Sequence, residues 1–256
     1  SHSSHSYLCS MGRRKSIKKE EFNTLPNCIN ADESIAGRWA EHFGNAQPIV
    51  LELGCGKGDL SFGLAQRHPE INYIGVDIKA TRMWTGARRA LEEDVSNLAF
   101  LRCDIHGLDQ YFAEHEVDGI WITFPDPYPR KKQSKNRMVH ERFLARYIRI
   151  LQPGSRIDFK TDNKSLFQYT HDHFQELAEK EVVNIDILHS TRNLHTSEWK
   201  DGDAAITTDF ERRFLEIGKT IYYMAFRLAA GPNFGQLPVT EGVSLDPTEK
   251  APRLRN

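Results

Sequence analysis

Residues 124–137, Phe-Pro-Asp-Pro-Tyr-Pro-Arg-Lys-Lys-Gln-Ser-Lys-Asn-Arg, put one acid and a dense set of bases into a single short stretch. Asp126 stands between Pro125 and Pro127, at the end of an apolar run over 118–124 that reads as a strand. Proline fixes φ and cannot donate to a sheet, so the spacing predicts a rigid loop there and not a continuing strand. Behind the acid come Arg130, Lys131, Lys132, Lys135 and Arg137. A stiff acidic tip followed by bases suits chemistry on a nucleobase whose phosphates are held nearby. The five bases, with the arm from Arg13 to Lys19, are expected to contact those phosphates. The competing use of the same residues is a solvated charge run.

A second cluster begins at Ile49 and runs through Glu52-Leu53-Gly54-Cys55-Gly56-Lys57-Gly58. An apolar strand followed by glycines predicts a tight strand-to-helix turn whose backbone can approach a ligand closely. The spacing is G-x-G-x-G, which is neither the dinucleotide fingerprint nor a phosphate-binding loop ending in Lys-Ser/Thr. Glu52 just before the first glycine would repel a pyrophosphate and attract a cationic group, such as the aminoacyl end of S-adenosylmethionine. The next two predicted strands end in Asp77, placed for ribose hydroxyls, and Asp104, placed near an adenine. Gly54, Gly56 and Gly58 complete the expected cofactor site. Helix capping is the alternative role for Asp77 and Asp104.

These residues need a scaffold, and the pattern supplies one. Strands are predicted over 49–53, 72–76, 98–103, 118–124 and 155–160, with helices over 59–68, 80–92, 107–113 and 138–150. Strand–helix alternation of this kind predicts a parallel sheet with helices on both faces, and ligands gather beyond the carboxyl ends of its strands. Glu52, Asp77, Asp104 and Asp126 all fall at that edge. A helix over 31–43 precedes the sheet, Gln152-Pro153-Gly154 reads as a turn, and Lys160-Thr161-Asp162-Asn163 ends a fifth strand. A helix over 163–178, a strand over 183–188 and a last strand over 221–226 follow. Residues 1–30 read as a flexible leader and basic arm, 31–228 as the domain, and 229–256 as a poorly ordered tail.

The chain has 256 residues and a net charge of −1, so any nucleic-acid surface must come from local clustering. No apolar run is long enough to span a bilayer. The four cysteines lack C-x-x-C spacing, which predicts reduced thiols and no metal site, with Cys55 a small filler in its loop. Near the end, Thr208-Asp209-Phe210-Glu211 has the spacing of a capping box, a role compatible with substrate contact.

Taken together, Glu52–Gly58, Tyr73–Asp77, Phe124–Lys132, Lys160–Asn163 and Thr208–Glu211 with Gly218 resemble the bacterial tRNA (guanine-N7)-methyltransferases. The resemblance covers roughly residues 11–228. The proline-acid-proline-basic and Thr-x-aromatic-Glu segments are specific to that family, while the glycine loop is shared by many methyltransferases. It implies a Rossmann-like, doubly wound, mostly parallel sheet of the class I type, with an antiparallel C-terminal strand. It also implies a cytoplasmic enzyme, monomer or homodimer, that uses S-adenosylmethionine on tRNA in the variable loop. Asp126 would be catalytic and beside the cofactor. Arg130, Asp162, Thr208, Asp209, Phe210 and Glu211 would contact the substrate. Tyr128 stands where the family usually has Trp, and Gln133 where it often has His.

Guanine N7 carries a free lone pair, so this chemistry calls for alignment and charge stabilisation more than for a strong base. Two other readings are open to the same residues. One is an exocyclic amino-methyltransferase, since Asp126-Pro127-Tyr128 is similar to the Asp-Pro-Pro-Tyr loop of those enzymes. The other is a tRNA-binding module that transfers no methyl group.

Overall fold

The computed structural model describes residues 2–237, with side chains from Ser10 onward. Eight strands form one sheet: β1 (Cys28–Asn30), β2 (Ile49–Leu53), β3 (Asn72–Asp77), β4 (Leu98–Arg102), β5 (Val117–Thr123), β6 (Leu151–Thr161), β7 (Val183–Thr191) and β8 (Tyr222–Ala230). Their order is β1-β4-β3-β2-β5-β6-β8-β7. Among these eight strands β8 alone runs in the opposite direction, antiparallel to β6 on one side and β7 on the other. Among the described residues seven α-helices accompany the sheet: α1 (His2–Phe22), α2 (Trp39–Phe43), α3 (Asp59–Arg67), α4 (Ala80–Glu92), α5 (Glu141–Ile150), α6 (Lys164–Glu179) and α7 (Asp209–Glu216).

Alternation along the strands divides the core. Leu51 and Leu53 of β2, Ile120 and Ile122 of β5 and Phe159 of β6 face one buried cluster. Trp121 of β5 and Tyr223 of β8 face the other. This period-two division is what a sheet covered on both faces requires. On α4, Ala80, Met83, Ala87 and Ala90 repeat at three- and four-residue spacing and are buried. Gly86 belongs to the same stripe for a local reason: a Cβ there would meet the Lys57 carbonyl at 2.2 Å. Helix α4 therefore packs directly on the backbone of the glycine loop and holds it in place.

The strand order reverses direction around β2, which has β3 on one side and β5 on the other. The loops leaving β2 and β5 therefore diverge and open a crevice at the carboxyl edge of the sheet. That is where Glu52 and Asp126 lie.

Several elements differ from the sequence expectation. The leader and basic arm, expected to be flexible, form α1, which packs on α4: Phe22 is fully buried, and Lys18 lies 4.7 Å over the Trp84 ring. The helix expected over 31–43 is broken. A 3₁₀ turn, Glu33–Ile35, is followed by Gly37 at φ 78°, and only Trp39–Phe43 is α-helical. Glu116, far away in sequence, accepts from the Gly37 and Trp39 amides and fixes that break. The helix expected over 107–113 is a 3₁₀ segment, Ile105–Gln110, kinked at Gly107. Gln152–Gly154 lies within β6, near a register shift opposite Val117 and Gly119, and makes no separate turn. The tail expected from 229 begins as the end of β8 and a 3₁₀ turn, Phe234–Gln236, and its part from 238 lies outside the described residues.

Candidate active site

A cavity of about 470 Å³ opens at the crevice between the β2 and β5 loops. Its wall takes in Glu52, Gly54, Cys55, Gly56, Lys57, Asp59, Arg82, Thr123, Phe124, Asp126, Thr208, Phe210 and Arg213. Three acids thus face three bases, which suits a ligand carrying charges of both signs.

Glu52 forms the floor and is 3 % exposed. Its Oε1 accepts from the Ser61 amide at 3.2 Å and hydroxyl at 2.7 Å, and Oε2 accepts from Thr123 Oγ1 at 2.8 Å. Burial pushes its carboxyl up to about 6 against those hydrogen bonds and the charge of Lys160. The chain thus prepares a desolvated carboxyl that a cation would ionise.

The glycine loop turns through positive φ at Gly54 (72°), Gly56 (56°) and Gly58 (75°). A Cβ on Gly56 would meet nothing within 4 Å, and one on Gly54 only Met138 Cε at 3.9 Å. Those two glycines border open space that a ligand can use. Gly58 does not: a Cβ there would strike the Phe100 ring at 2.7 Å, so its glycine answers to internal packing. Asp77 braces the loop, accepting from the Gly56 amide at 2.9 Å and from the Ile78 and Lys79 amides. Asp104 caps the 3₁₀ segment after β4 and accepts from the His106 amide and ring. Burial pushes its carboxyl up, but the hydrogen bonds to His106 outweigh that, and the net displacement is downward. Cys55 is buried, which pushes its thiol far up and leaves it a filler beside Gly75.

The β5 loop is strained. Phe124 and Tyr128 have φ of 48° and 44°, a region costly for bulky L-residues. Asp126, between them, is exposed on the cavity rim. The Phe124 amide donates to the Lys160 carbonyl at 2.9 Å, and its ring meets Phe210 and Phe214 at 6.1 and 5.7 Å. Helix α7 forms the facing wall. Thr208 caps it by accepting from the Glu211 amide, and Phe210, 54 % exposed, projects at the opening. Lys57 reaches across to Asp209 at 3.2 Å.

Two residues expected at the substrate or RNA surface are turned inward. Glu211 is fully buried: its Oε2 lies 2.7 Å from Lys160 Nζ, also fully buried, and its Oε1 lies 2.7 Å from His195 Nε2. Its place is under α7, and the reciprocal side-chain half of a capping box is absent because that carboxylate is engaged elsewhere. Burial pulls the Lys160 ammonium down, while Glu211 opposes that shift. Arg137 is 9 % exposed and donates to the Pro127 and Tyr128 carbonyls, so it is no phosphate contact. Arg130, Lys131, Lys132 and Lys135 are exposed. Asp162 pairs with Lys219 at 2.8 Å, beyond the cavity wall.

The sequence from 46 to 224 matches a family model described as "Putative methyltransferase". The chain is 44 % identical over 196 residues to a tRNA (guanine-N(7)-)-methyltransferase of Porphyromonas gingivalis, covering 76 % of this chain and 77 % of that one. It is 40 % identical over 220 residues to the protein of the same name from Cytophaga hutchinsonii, covering 84 % and 98 %. The chain belongs to the tRNA (guanine-N(7)-)-methyltransferase family. Among solved structures, one titled as an antibiotic related methyltransferase matches with a TM-score of 0.54 at 14 % identity, covering 80 % of this chain and 98 % of the other. A 30S ribosomal A1408 methyltransferase from an uncultured bacterium matches with a TM-score of 0.52 at 13 % identity, covering 77 % and 93 %. At these identities the likeness is one of fold.

In this methyltransferase, then, the cavity wall unites Glu52, Gly54, Gly56, Asp126, Thr208 and Phe210 from the expected set. Gly58, Asp77, Asp104, Arg130, Asp162, Asp209 and Glu211 are not in it. Lys57, Arg82, Thr123 and Arg213 join the wall without having been expected. Arg82 had a usable signal: it lies one turn or less into the helix that follows Asp77, and side chains there overhang the sheet edge.

Proposed function

We propose that the protein transfers a methyl group from S-adenosylmethionine to N7 of a guanosine in tRNA, in the variable loop. The observation that carries the reading is the cavity at the reversal of strand order, bounded by a buried carboxyl on β2 and an exposed one after β5. The open space beside Gly54 and Gly56 fits a cofactor that lies against the backbone. Glu52 would hold its amino group, Asp77 its ribose and Asp104 the side of its adenine. Bound there, S-adenosylmethionine supplies an electrophilic methyl on a sulfonium.

The chain's own contribution is placement. N7 of neutral guanine has a lone pair and no proton to lose, so no general base is needed. The ring becomes cationic as the methyl arrives, and Asp126 puts a negative charge beside it without reorganisation. Phe210 and Phe124 offer apolar faces at the opening, which exclude water and accept a base drawn out of its stack. Thr208 and Asp209 at the start of α7 bear on the substrate from the opposite wall, and Asp162 and Arg130 lie further out. Exposed Arg130, Lys131, Lys132 and Lys135 take phosphates of the folded RNA. The reading places the protein in the cytoplasm with its tRNA.

Incubation with methyl-labelled S-adenosylmethionine and unmodified bulk tRNA, followed by nucleoside mass analysis, tests it. Labelled 7-methylguanosine is expected. Label in an exocyclic amino group of adenine or cytosine would move the protein to the other methyltransferase class. Cofactor-independent tRNA binding without label would leave a binding module.

A further inference from the structure

We propose that Arg137 is a positioning residue for methyl transfer: it holds the strained Phe124–Arg130 loop in shape and so aims Asp126 into the cavity. The proposal rests on the proposed function for the role of Asp126. Its observations are separate.

Three prolines restrict the loop, but none of them sets φ at Phe124 or Tyr128. A bulky side chain in the left-handed region costs about 1–2 kcal/mol and persists only when surrounding contacts over-determine it. For Phe124 those contacts are the Lys160 carbonyl and the two phenyl rings of α7. For Tyr128 they converge on one guanidinium. Arg137 Nε donates to the Pro127 carbonyl at 3.0 Å and to the Tyr128 carbonyl at 3.2 Å, and Nη2 donates to the same Tyr128 carbonyl at 2.8 Å. Successive carbonyls on an extended chain point in opposite directions. The bend at Tyr128 is what lets these two meet one planar donor.

The guanidinium is itself fixed. It lies 4.2 Å over the Tyr169 ring of α6. Tyr169 stacks on His173 with ring centres 5.1 Å apart and planes 12° apart, and His173 stacks on His140 at 5.6 Å and 18°. Glu141 joins both histidines, at 2.6 Å to His173 and 3.2 Å to His140. The column ties the loop to the start of α5 and the middle of α6. The partners of the Arg137 guanidinium are carbonyls and a ring face, not a carboxylate. Taking a cation out of water for neutral partners alone is costly, and the hydrogen bonds and ring contact offset that cost only while their geometry is kept. A fork of fixed N–H directions serves here, and a point charge does not.

The test compares wild type, Arg137→Lys and Arg137→Gln, with Lys131→Ala/Lys132→Ala as the reference for phosphate contact. Three quantities are read: single-turnover methylation at saturating tRNA and cofactor, the log–log salt slope of tRNA binding, and hydrogen exchange at the Phe124 amide, which the Lys160 carbonyl protects at the root of the loop. Both Arg137 variants are expected to slow transfer about 10²-fold, the scale of a misplacement near 1 Å. They should leave the salt slope unchanged and speed exchange in the loop at least tenfold. Lysine should fail to rescue, because it restores the charge without the fork. The reference variant should lower the slope. A wild-type rate in Arg137→Lys, a reduced slope in Arg137→Gln, or unaltered exchange in the loop each overturns the proposal. Arg137→Lys, the milder change, decides if Arg137→Gln lowers the unfolding midpoint. Absence of any 7-methylguanosine from wild type refutes the proposed function, whereas the exchange measurement still decides whether Arg137 clamps the loop.

Discussion

Glu211→Gln separates two roles that the Thr208–Glu211 segment was expected to combine. The substitution keeps size and one acceptor, and it removes the charge opposite Lys160. Both side chains are fully buried and 2.7 Å apart. Breaking such a pair strands a charge in the interior and costs about 3–5 kcal/mol. The glutamine oxygen can still accept from Lys160 or His195, and Lys160 keeps the Ile206 carbonyl at 3.3 Å. The lower end, about 3 kcal/mol, is therefore expected. In a domain of this size it corresponds to a fall in the unfolding midpoint of about 6–12 °C. Replacing both partners, as Lys160→Met/Glu211→Leu, removes the stranded charge and should cost less than the single change. Thermal and urea unfolding measure the stability, and equilibrium titration with tRNA measures the binding, which should change by less than about threefold. An unchanged midpoint together with a tenfold loss of tRNA affinity would refute the reasoning and put Glu211 on the RNA.

Asp126→Asn should slow single-turnover transfer by about 10²-fold with tRNA affinity almost unaltered, as at other preorganised charges. A near-wild-type rate would move the charge-stabilising role to Asp162. Glu52 is protonated more readily in the fold than in the unfolded chain, so the stability it contributes is present below pH 4.5 and lost as pH rises through about 6. Relative to Glu52→Gln, wild type should therefore lose about 2 kcal/mol between those values, and its affinity for S-adenosylmethionine should rise over the same window. Parallel pH dependences in the two proteins would remove Glu52 from both roles. Neutralising Lys131 and Lys132 should lower the magnitude of the log–log salt slope of tRNA binding by about 0.7–0.9 for each phosphate left without its cation. No change in slope would make them a solvated run.

What was legible in the sequence is what local pattern determines. The apolar run into Gly54 located β2 and its turn, and α4 begins and ends where its spacing places it, Ala80 to Glu92. The acids at strand ends followed from the alternation of strands and helices. The misses share a different cause, since each depends on a partner distant in sequence. Glu116 breaks the segment over 31–43 by capturing the Gly37 and Trp39 amides. Strand β1 has three residues, too few for any period, and exists because it pairs with β4. Helix α1 has its few apolar residues scattered and no apolar stripe to announce it, and its order comes from Phe22, Glu21 and Lys18 against α4.

The same distinction governs charge. Arg130 to Arg137 read as one basic run because charge adds along a sequence regardless of direction. The fold puts a 3₁₀ segment, Lys131–Asn136, through the middle of that run. Lys131, Lys132 and Lys135 stay in solvent, and the chain then turns Arg137 back beneath the loop that began at Phe124. Lys160 offered a better clue, as a lysine within a strand, next to Phe159, that the fold buries completely. A buried cation needs a partner, and Glu211, which supplies it, is the one acid of the α7 motif that faces inward. Type and spacing thus singled out Glu52 and Asp126, which the fold brings to one cavity, and passed over Lys57, Arg82 and Arg213, which share its wall. Only packing divides the charges between those that face the cavity, such as Asp126, and those buried beneath it, such as Glu211 and Arg137.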